Sequence, residues 1–162
     1  MSHRSHPFLL APDALKALTE LDVYVASAGL SPSLVELIRI RTSQLNNCAY
    51  CVETHVKQAL DSHEDPRRLG LLSTWRESSV FDARERAALA WSEAVTLISA
   101  GPVGDDIYAE AVEQFSEADL VRLTVAVAAI NAWNLLAVSF NLSAARSRAA
   151  RVRNDLGPTT HG

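Results

Sequence analysis

The chain has 162 residues, of which 48% are hydrophobic, and its formal net charge is −4. A chain of this length can bury a core as one domain, and its negative charge gives no general attraction to nucleic acid or anionic lipid. The first residues, Met-Ser-His-Arg-Ser-His-Pro, lack the apolar stretch of a secretory signal. We therefore expect a cytoplasmic protein whose cysteines stay reduced at rest.

Apolar residues recur three and four positions apart through most of the chain, which is the period of an α-helix. Start and stop signals divide this pattern: Pro12 opens the first segment, Gly29 ends it, and Ser31 with Pro32 opens the second. The pattern predicts seven helices, over about residues 12–28, 32–45, 48–62, 66–75, 83–99, 105–114 and 117–142. Because no strand-like alternation appears, we expect an all-α single domain over residues 1–162, with its core from about 12 to 143 and flexible termini.

The last predicted helix is long and apolar enough to raise the question of a membrane span. Polar residues interrupt it, however, so we expect a helix buried in the protein or in a subunit interface, and no membrane partner. Two of these polar residues, Asn131 and Asn134, lie about one turn apart. They are either core amides that hold neighbouring helices together, which is the preferred interpretation, or residues that border a functional pocket.

Four arginines follow that helix near the end of the chain: Arg146, Arg148, Arg151 and Arg153. Arginines after an apolar helix commonly complement its carboxyl end and keep a tail in solvent. Neither interleaved aromatic residues nor a groove-reading motif accompanies them, so we expect no nucleic-acid partner.

The two cysteines of the chain, Cys48 and Cys51, are three residues apart, and His55 follows four residues later. On a helix these spacings place all three side chains on one face. The turn residues Asn46 and Asn47 come just before Cys48, so the cysteines occupy the first turns of a new helix, where free backbone N–H groups favour a thiolate.

Three interpretations of this cluster compete. The cysteines are apolar fillers, ligands of a zinc ion together with His55, or a redox-active dithiol. Their spacing argues against fillers, and a structural zinc site needs a fourth ligand that no well-placed second pair supplies, so the dithiol is favoured. Glu36, among apolar neighbours, either faces solvent or is held inward for a purpose, and its own sequence context does not decide between these.

The order and spacing of Glu36, Cys48, Cys51 and His55 resemble the Glu…Cys-x-x-Cys-x-x-x-His signature of the alkylhydroperoxidase D-like (AhpD-like) proteins in the carboxymuconolactone decarboxylase superfamily. Three further segments resemble sequences common in that family: residues 39–45, 85–90 and 131–134. The chain departs from the pattern at Tyr50, where some members carry a second histidine, and at Leu135, where many have an arginine.

This resemblance implies the AhpD-like helical fold and a thiol-dependent peroxidase. Cys51 would attack a hydroperoxide, Cys48 would resolve the sulfenic acid as a disulfide, and His55 with Glu36 would relay the thiol proton. No cofactor or metal is expected. The implied partners are a hydroperoxide, an external dithiol reductant of the lipoyl or thioredoxin-like type, and further copies of the chain in a trimer or hexamer. The alternatives are a zinc-binding helical module and a carboxymuconolactone decarboxylase-like lyase.

Overall fold

A computed structural model of the protein describes residues 5–143. Within this range the chain forms α-helices and two short 3₁₀ helices, with no strand, which confirms the all-α prediction. The α-helices are α1 (Pro7–Leu10), α2 (Pro12–Ser27), α3 (Pro32–Leu45), α4 (Ala49–Asp61), α5 (Pro66–Leu71), α6 (Ala83–Thr96), α7 (Asp105–Gln114) and α8 (Glu117–Ser139). The 3₁₀ helices are Leu72–Glu77 and Ile98–Ala100.

The predicted helices are present, with differences mainly at their ends. The short helix α1 precedes the first predicted one, and the segment predicted at 66–75 divides into α5 and a 3₁₀ helix. The last helix ends at Ser139 rather than near residue 142, because Asn141 takes a left-handed φ of 51° that an α-helix cannot continue through. The four arginines at positions 146 to 153 lie outside the described residues.

Side-chain caps explain why several helices begin where the sequence predicts. The Ser31 hydroxyl accepts from the Leu34 N–H at 3.3 Å, and the Ser116 hydroxyl accepts from the Asp119 N–H at 3.1 Å. Asp82 and Glu85 form a reciprocal capping box, in which each carboxylate accepts from the other's backbone N–H, at 2.8 and 3.0 Å. Each cap satisfies a backbone donor that the helix leaves unpaired and stabilises its helix by about 1 kcal/mol.

Helix α3 lies at the centre of the fold, in contact with α4, α6 and α8. Its side chains Leu37, Ile38 and Ile40 are fully buried. One apolar cluster joins α3 to α2, α6 and α8, and a second joins it to α4, α5 and α6. Because α3 is covered by several neighbours, its polar side chains must find partners inside the protein.

Helix α8 is the one helix among residues 5–143 that is long and apolar enough to cross a membrane by length and composition. It packs against α2, α3, α4 and α6, and its residues Leu123, Ala126 and Val127 are fully buried. The sequence predicts burial on most sides in the protein or in a subunit interface, but within this chain 39% of its apolar window is buried, and Val121 and Leu135 stay exposed.

Glu93 on α6 ties α3 to the segment after α5 through a buried charged cluster. Its carboxylate accepts from the Arg41 guanidinium at 2.6 Å, from the Trp75 indole N–H at 2.8 Å, and from Arg76. Burial opposes ionisation of this carboxyl, but the hydrogen bonds from Trp75, Arg76 and Arg41 outweigh it, so the pKa of Glu93 lies below its ordinary value. The ionised form therefore stabilises the fold.

We expect Glu93→Gln to lower the free energy of unfolding by about 2 kcal/mol or more at pH 7, because Arg41 loses its buried counter-charge. Denaturation in urea measures the loss. The parent should also lose stability as the pH falls from about 4.5 through the lowered pKa of Glu93, while the variant should lose less over that interval. Glu20→Gln is the control, because Glu20 pairs with Lys16 in solvent at 3.9 Å and should cost less than about 0.5 kcal/mol.

Candidate active site

The turn between α3 and α4 places Cys48 at the N-terminus of α4. Asn47 takes a left-handed φ of 52°, and the Cys48 N–H then donates to the Ser43 carbonyl at 2.9 Å. Cys48 becomes the N-cap residue, and its sulfur accepts from the Cys51 N–H at 3.3 Å. Sequence reasoning predicted the helix start, and the structure shows that the Cys48 sulfur itself caps the helix.

Both cysteines are free thiols buried against α8. Cys48 is 2% exposed and Cys51 is 3% exposed, and they pack with Ile130 and Ala137. Asn134 lies between these two α8 residues along the chain, is itself 2% exposed, and its side-chain amide acts to lower the pKa of both thiols.

A network of amides holds Asn134 in this position. Its Oδ1 accepts from Asn46 Nδ2 at 2.9 Å, and its Nδ2 donates to Ser43 Oγ at 3.0 Å. Asn46 Nδ2 also donates to Asn131 Oδ1 at 2.7 Å. The preferred interpretation as satisfied core amides holds for Asn134, which is buried, whereas Asn131 is hydrogen-bonded but only partly buried.

The sulfurs are in hydrogen-bond contact, and the thiolate is favoured at Cys48. The Cys51 thiol, the Cys51 backbone N–H and Asn134 all donate to the Cys48 sulfur and outweigh its burial, lowering the pKa of Cys48 to about 7. Donation to Cys48 together with burial raises the pKa of Cys51 above its ordinary value. Near neutral pH the pair therefore gives up its first proton readily, and the negative charge is favoured at Cys48, at the helix N-terminus.

Glu36 is directed inward, which answers the question that its sequence context left open. Its Oε2 is 2.9 Å from Nδ1 of His55, and its Oε1 accepts from Arg39 at 2.9 Å. Burial opposes ionisation of this carboxyl, but its hydrogen bonds and charge interactions with His55 and Arg39 are stronger, so the pKa of Glu36 lies below its ordinary value. Arg39 in turn donates to Asp22 on α2 at 3.0 Å.

Two cavities open onto the two cysteines separately. Cys51 and His55 line a cavity of about 320 Å³ together with Asp22, Tyr50 and Trp133. Cys48 lines a smaller cavity of about 170 Å³ near Asn141. The structure thus brings the four predicted site residues together as two hydrogen-bonded pairs, Cys48 with Cys51 and Glu36 with His55, which meet at the larger cavity.

Several residues around this site carried no sequence-level signal of such a role. Asp22 lies in a different helix from its partner Arg39, 17 residues away, and Asn46 reads only as a turn residue in the sequence. The structure also locates Tyr50 and Leu135, the two residues that depart from the family pattern. Tyr50 lines both cysteine cavities, whereas Leu135 is 69% exposed on α8.

The zinc interpretation finds no support in the donor geometry. Among residues 5–143, no group of three or more histidine, cysteine, aspartate or glutamate side chains is arranged to hold a metal ion. The one described histidine near the cysteines, His55, uses Nδ1 for its contact with Glu36. The cysteines contact each other and Asn134.

Comparison with known proteins identifies the family of the chain. Residues 12–94 match the carboxymuconolactone decarboxylase family. The uncharacterized protein YdfG of Bacillus subtilis is 32% identical over 145 residues, which cover 90% of this chain and 99% of YdfG. The chain belongs to the carboxymuconolactone decarboxylase family.

Similar solved structures indicate which group within this superfamily the chain resembles. A protein of unknown function from Agrobacterium tumefaciens, described as an antioxidant defence protein of the AhpD type, is 39% identical with a TM-score of 0.83, covering 86% of this chain and 96% of that one. A peroxidase-related protein from a Silicibacter species shares the fold at 22% identity and a TM-score of 0.72, covering 81% of this chain and 70% of that one. Within the superfamily the chain is AhpD-like, and the predicted fold is confirmed.

Removing the Asn134 amide should raise the thiol pKa. We expect Asn134→Ala to raise the pKa of Cys48 by about one unit, because a hydrogen bond to the charged sulfur is lost. Alkylation by iodoacetamide at pH 7 should then slow about fivefold, since less of the thiol is ionised. Thiolate absorbance against pH measures the shift directly. Asn131→Ala removes an amide from the same network without touching the sulfurs and should leave the titration unchanged, and an equal shift in both variants would contradict the role given to Asn134.

Proposed function

We propose that this protein is a thiol-dependent peroxidase that reduces hydroperoxides through a dithiol/disulfide cycle of Cys48 and Cys51. One observation carries the proposal: two free cysteines in hydrogen-bond contact, one of which faces a cavity that it shares with a carboxylate-bound histidine. The 39% identity to the Agrobacterium protein, whose function is unknown and which is named for AhpD-type antioxidant defence, supports it.

The cavities favour Cys51 as the attacking sulfur. A hydroperoxide in the larger cavity meets Cys51 and His55, whereas Cys48 faces the smaller cavity. The resting thiolate at Cys48 does not oppose this assignment, because a proton shared by two hydrogen-bonded sulfurs can move from Cys51 to Cys48 before attack. His55, held by Glu36, is the second acceptor available at the cavity.

The proposed cycle has two steps. The Cys51 thiolate attacks one oxygen of the hydroperoxide, the O–O bond breaks, and the leaving alkoxide takes a proton to become an alcohol while Cys51 becomes a sulfenic acid. Cys48 then attacks the Cys51 sulfur as a thiolate and displaces hydroxide, which is protonated to water as the disulfide forms. The proton that left Cys51 passes from Cys48 to the alkoxide, directly or through His55, which leaves Cys48 as the thiolate of the second step, and solvent supplies the proton that converts the displaced hydroxide to water. Glu36 orients His55 for this transfer.

An external dithiol must restore the cysteines, and we propose a lipoyl-type or thioredoxin-like donor. A cysteine at the very start of a helix, as Cys48 is, should be the more accessible of the two to such a donor, but Cys48 is 2% exposed and Cys51 is 3% exposed. The exposed fractions of the two cysteines therefore do not indicate which sulfur the donor attacks. Attack on either one requires a local opening of the structure around the α3–α4 turn.

Assembly into a trimer or hexamer remains part of the proposal. Large apolar side chains stay exposed along α8 and beside it, at Val121, Leu135, Ile98 and Leu97. Contacts between copies would cover such side chains. A carboxymuconolactone decarboxylase-like lyase would not require the cysteine pair or the hydrogen bonds around it. Their presence therefore favours the peroxidase over the lyase.

Substitution of the two cysteines should have unequal effects. Cys48→Ser should still react once with peroxide and leave a Cys51 sulfenic acid that a dimedone-type probe traps, but it should not turn over with a dithiol. Cys51→Ser should do neither. Mass spectrometry should show the parent losing two hydrogens as the intrachain disulfide forms. Equal peroxide reactivity of both variants would contradict the separate roles, and a probe adduct on Cys48 in Cys51→Ser at the parent rate would reverse them.

Loss of the Glu36 and His55 pair should slow the reaction with peroxide. We expect His55→Ala to reduce kcat/KM by about 10² to 10⁴-fold, the range for a missing general base, and Glu36→Gln to have a smaller effect in the same direction. Stopped-flow measurement of thiol oxidation against pH tests both. His63→Asn is the control, because His63 is exposed at the end of α4 with a φ of 65°, which asparagine tolerates. Parent-like rates in His55→Ala and Glu36→Gln would make the pair purely structural.

A further inference from the structure

The cavity beside Cys51 has an aromatic wall. Phe8 from α1 and Trp133 from α8 stack with their ring centroids 6.2 Å apart and their planes at 21°, and Tyr50 from α4 also lines the cavity. Side chains with hydroxyl or amide groups complete the polar part: Thr19, Thr54 and Gln58. A surface of this kind packs well against an apolar group of a ligand.

The charge on this cavity is negative. Among its described lining residues, Asp22 is the one carboxylate, and there is no lysine or arginine. Asp22 is 32% exposed there, and both of its oxygens are occupied: Oδ1 accepts from Arg39 at 3.0 Å and Oδ2 from the Trp133 indole N–H at 2.7 Å.

Arg39 offsets this charge only in part, because its guanidinium is shared between Asp22 and Glu36 and is itself only 12% exposed. The His55 Nδ1 atom is likewise taken up by Glu36. An anionic ligand entering the cavity would meet Asp22 with no lysine or arginine in the lining to pair with, so it would lose hydration with little compensation.

We propose that the cavity accepts uncharged organic hydroperoxides, whose apolar group packs against Phe8 and Trp133, and that Asp22 excludes hydroperoxides bearing a carboxylate. This inference rests on the proposed peroxidase function for the reacting group, but the charge selectivity belongs to the cavity itself. Asp22 acts at a distance through its charge, because both its oxygens already accept hydrogen bonds.

Binding of unreactive alcohols tests this selectivity without requiring turnover. The two probes are the para-carboxamide and the para-carboxylate of 2-phenyl-2-propanol, which are close in size and shape and differ by one charge. Quenching of tryptophan fluorescence in the reduced protein reports binding, because Trp133 lines the cavity. We expect the parent to bind the neutral alcohol at least about tenfold more tightly than the carboxylate.

The variant Asp22→Asn should reduce this ratio severalfold, chiefly by tightening binding of the carboxylate. Glu20→Gln, which removes an exposed charge two residues away on the same helix, should leave the ratio as in the parent. Asp22→Ser is a second uncharged variant for the case in which the asparagine protein does not fold. Equal affinity of the two alcohols in the parent would overturn the inference, and an undiminished ratio in both Asp22 variants would overturn the role of Asp22.

Turnover distinguishes this inference from the proposed function. Both the peroxidase and the selectivity are supported if the parent reduces cumene hydroperoxide with a dithiol donor and reduces its para-carboxylate more slowly. In that case Asp22→Asn should accelerate reduction of the para-carboxylate relative to the neutral substrate. Selective binding of the neutral alcohol without reduction of any hydroperoxide would refute the peroxidase and retain the ligand class of the cavity. Reduction of both peroxides at equal kcat/KM would refute the selectivity and retain the peroxidase.

Discussion

The rest of the structure depends on one constraint: the central helix α3 carries polar side chains on faces that its neighbours cover. Three of them are paired with three different helices: Glu36 with His55 on α4, Arg41 with Glu93 on α6, and Ser43 with Asn134 on α8. An unpaired buried polar group costs about 1–3 kcal/mol, and more when it is charged. A shift of any neighbouring helix along α3 would break one of these pairs, so together they define how the helices are placed around α3.

Because of this arrangement, the contacts that hold the core together also hold the candidate active site. Asn134 joins α8 to α3 through Asn46 and Ser43, and the same amide acts to lower the pKa of both thiols. Glu36 joins α3 to α4 and orients His55. The reacting groups are therefore pre-organised by packing, which limits the reorganisation that the reaction requires. Stability alone cannot distinguish a packing role from a chemical one at these positions, whereas thiol titration can.

Local features of the sequence were predictable because local physics determines them. The helix start at Ser31 and Pro32 and the shared face of Cys48, Cys51 and His55 depend only on residues a few positions apart. The direction of Glu36 was not predictable, because it depends on where α4 packs against α3. Contacts such as Asn46 with Asn131, 85 residues apart, leave no local pattern. The preference for a thiolate at Cys48 depends on the left-handed turn at Asn47, which directs the Cys48 sulfur toward the Cys51 N–H.

The capping role of the Cys48 sulfur links helix stability to redox chemistry. In the dithiol form this sulfur accepts from the Cys51 N–H and from Asn134, and its charge lies at the N-terminus of α4. A disulfide sulfur carries no charge and is a weaker acceptor, so oxidation weakens these interactions while the helix remains. Interactions that favour the reduced form raise the reduction potential of a disulfide, as they do in strongly oxidising dithiol proteins. If the pair forms the proposed disulfide, the first turn of α4 makes that disulfide easier to reduce, and oxidation lowers the stability of the turn that carries it.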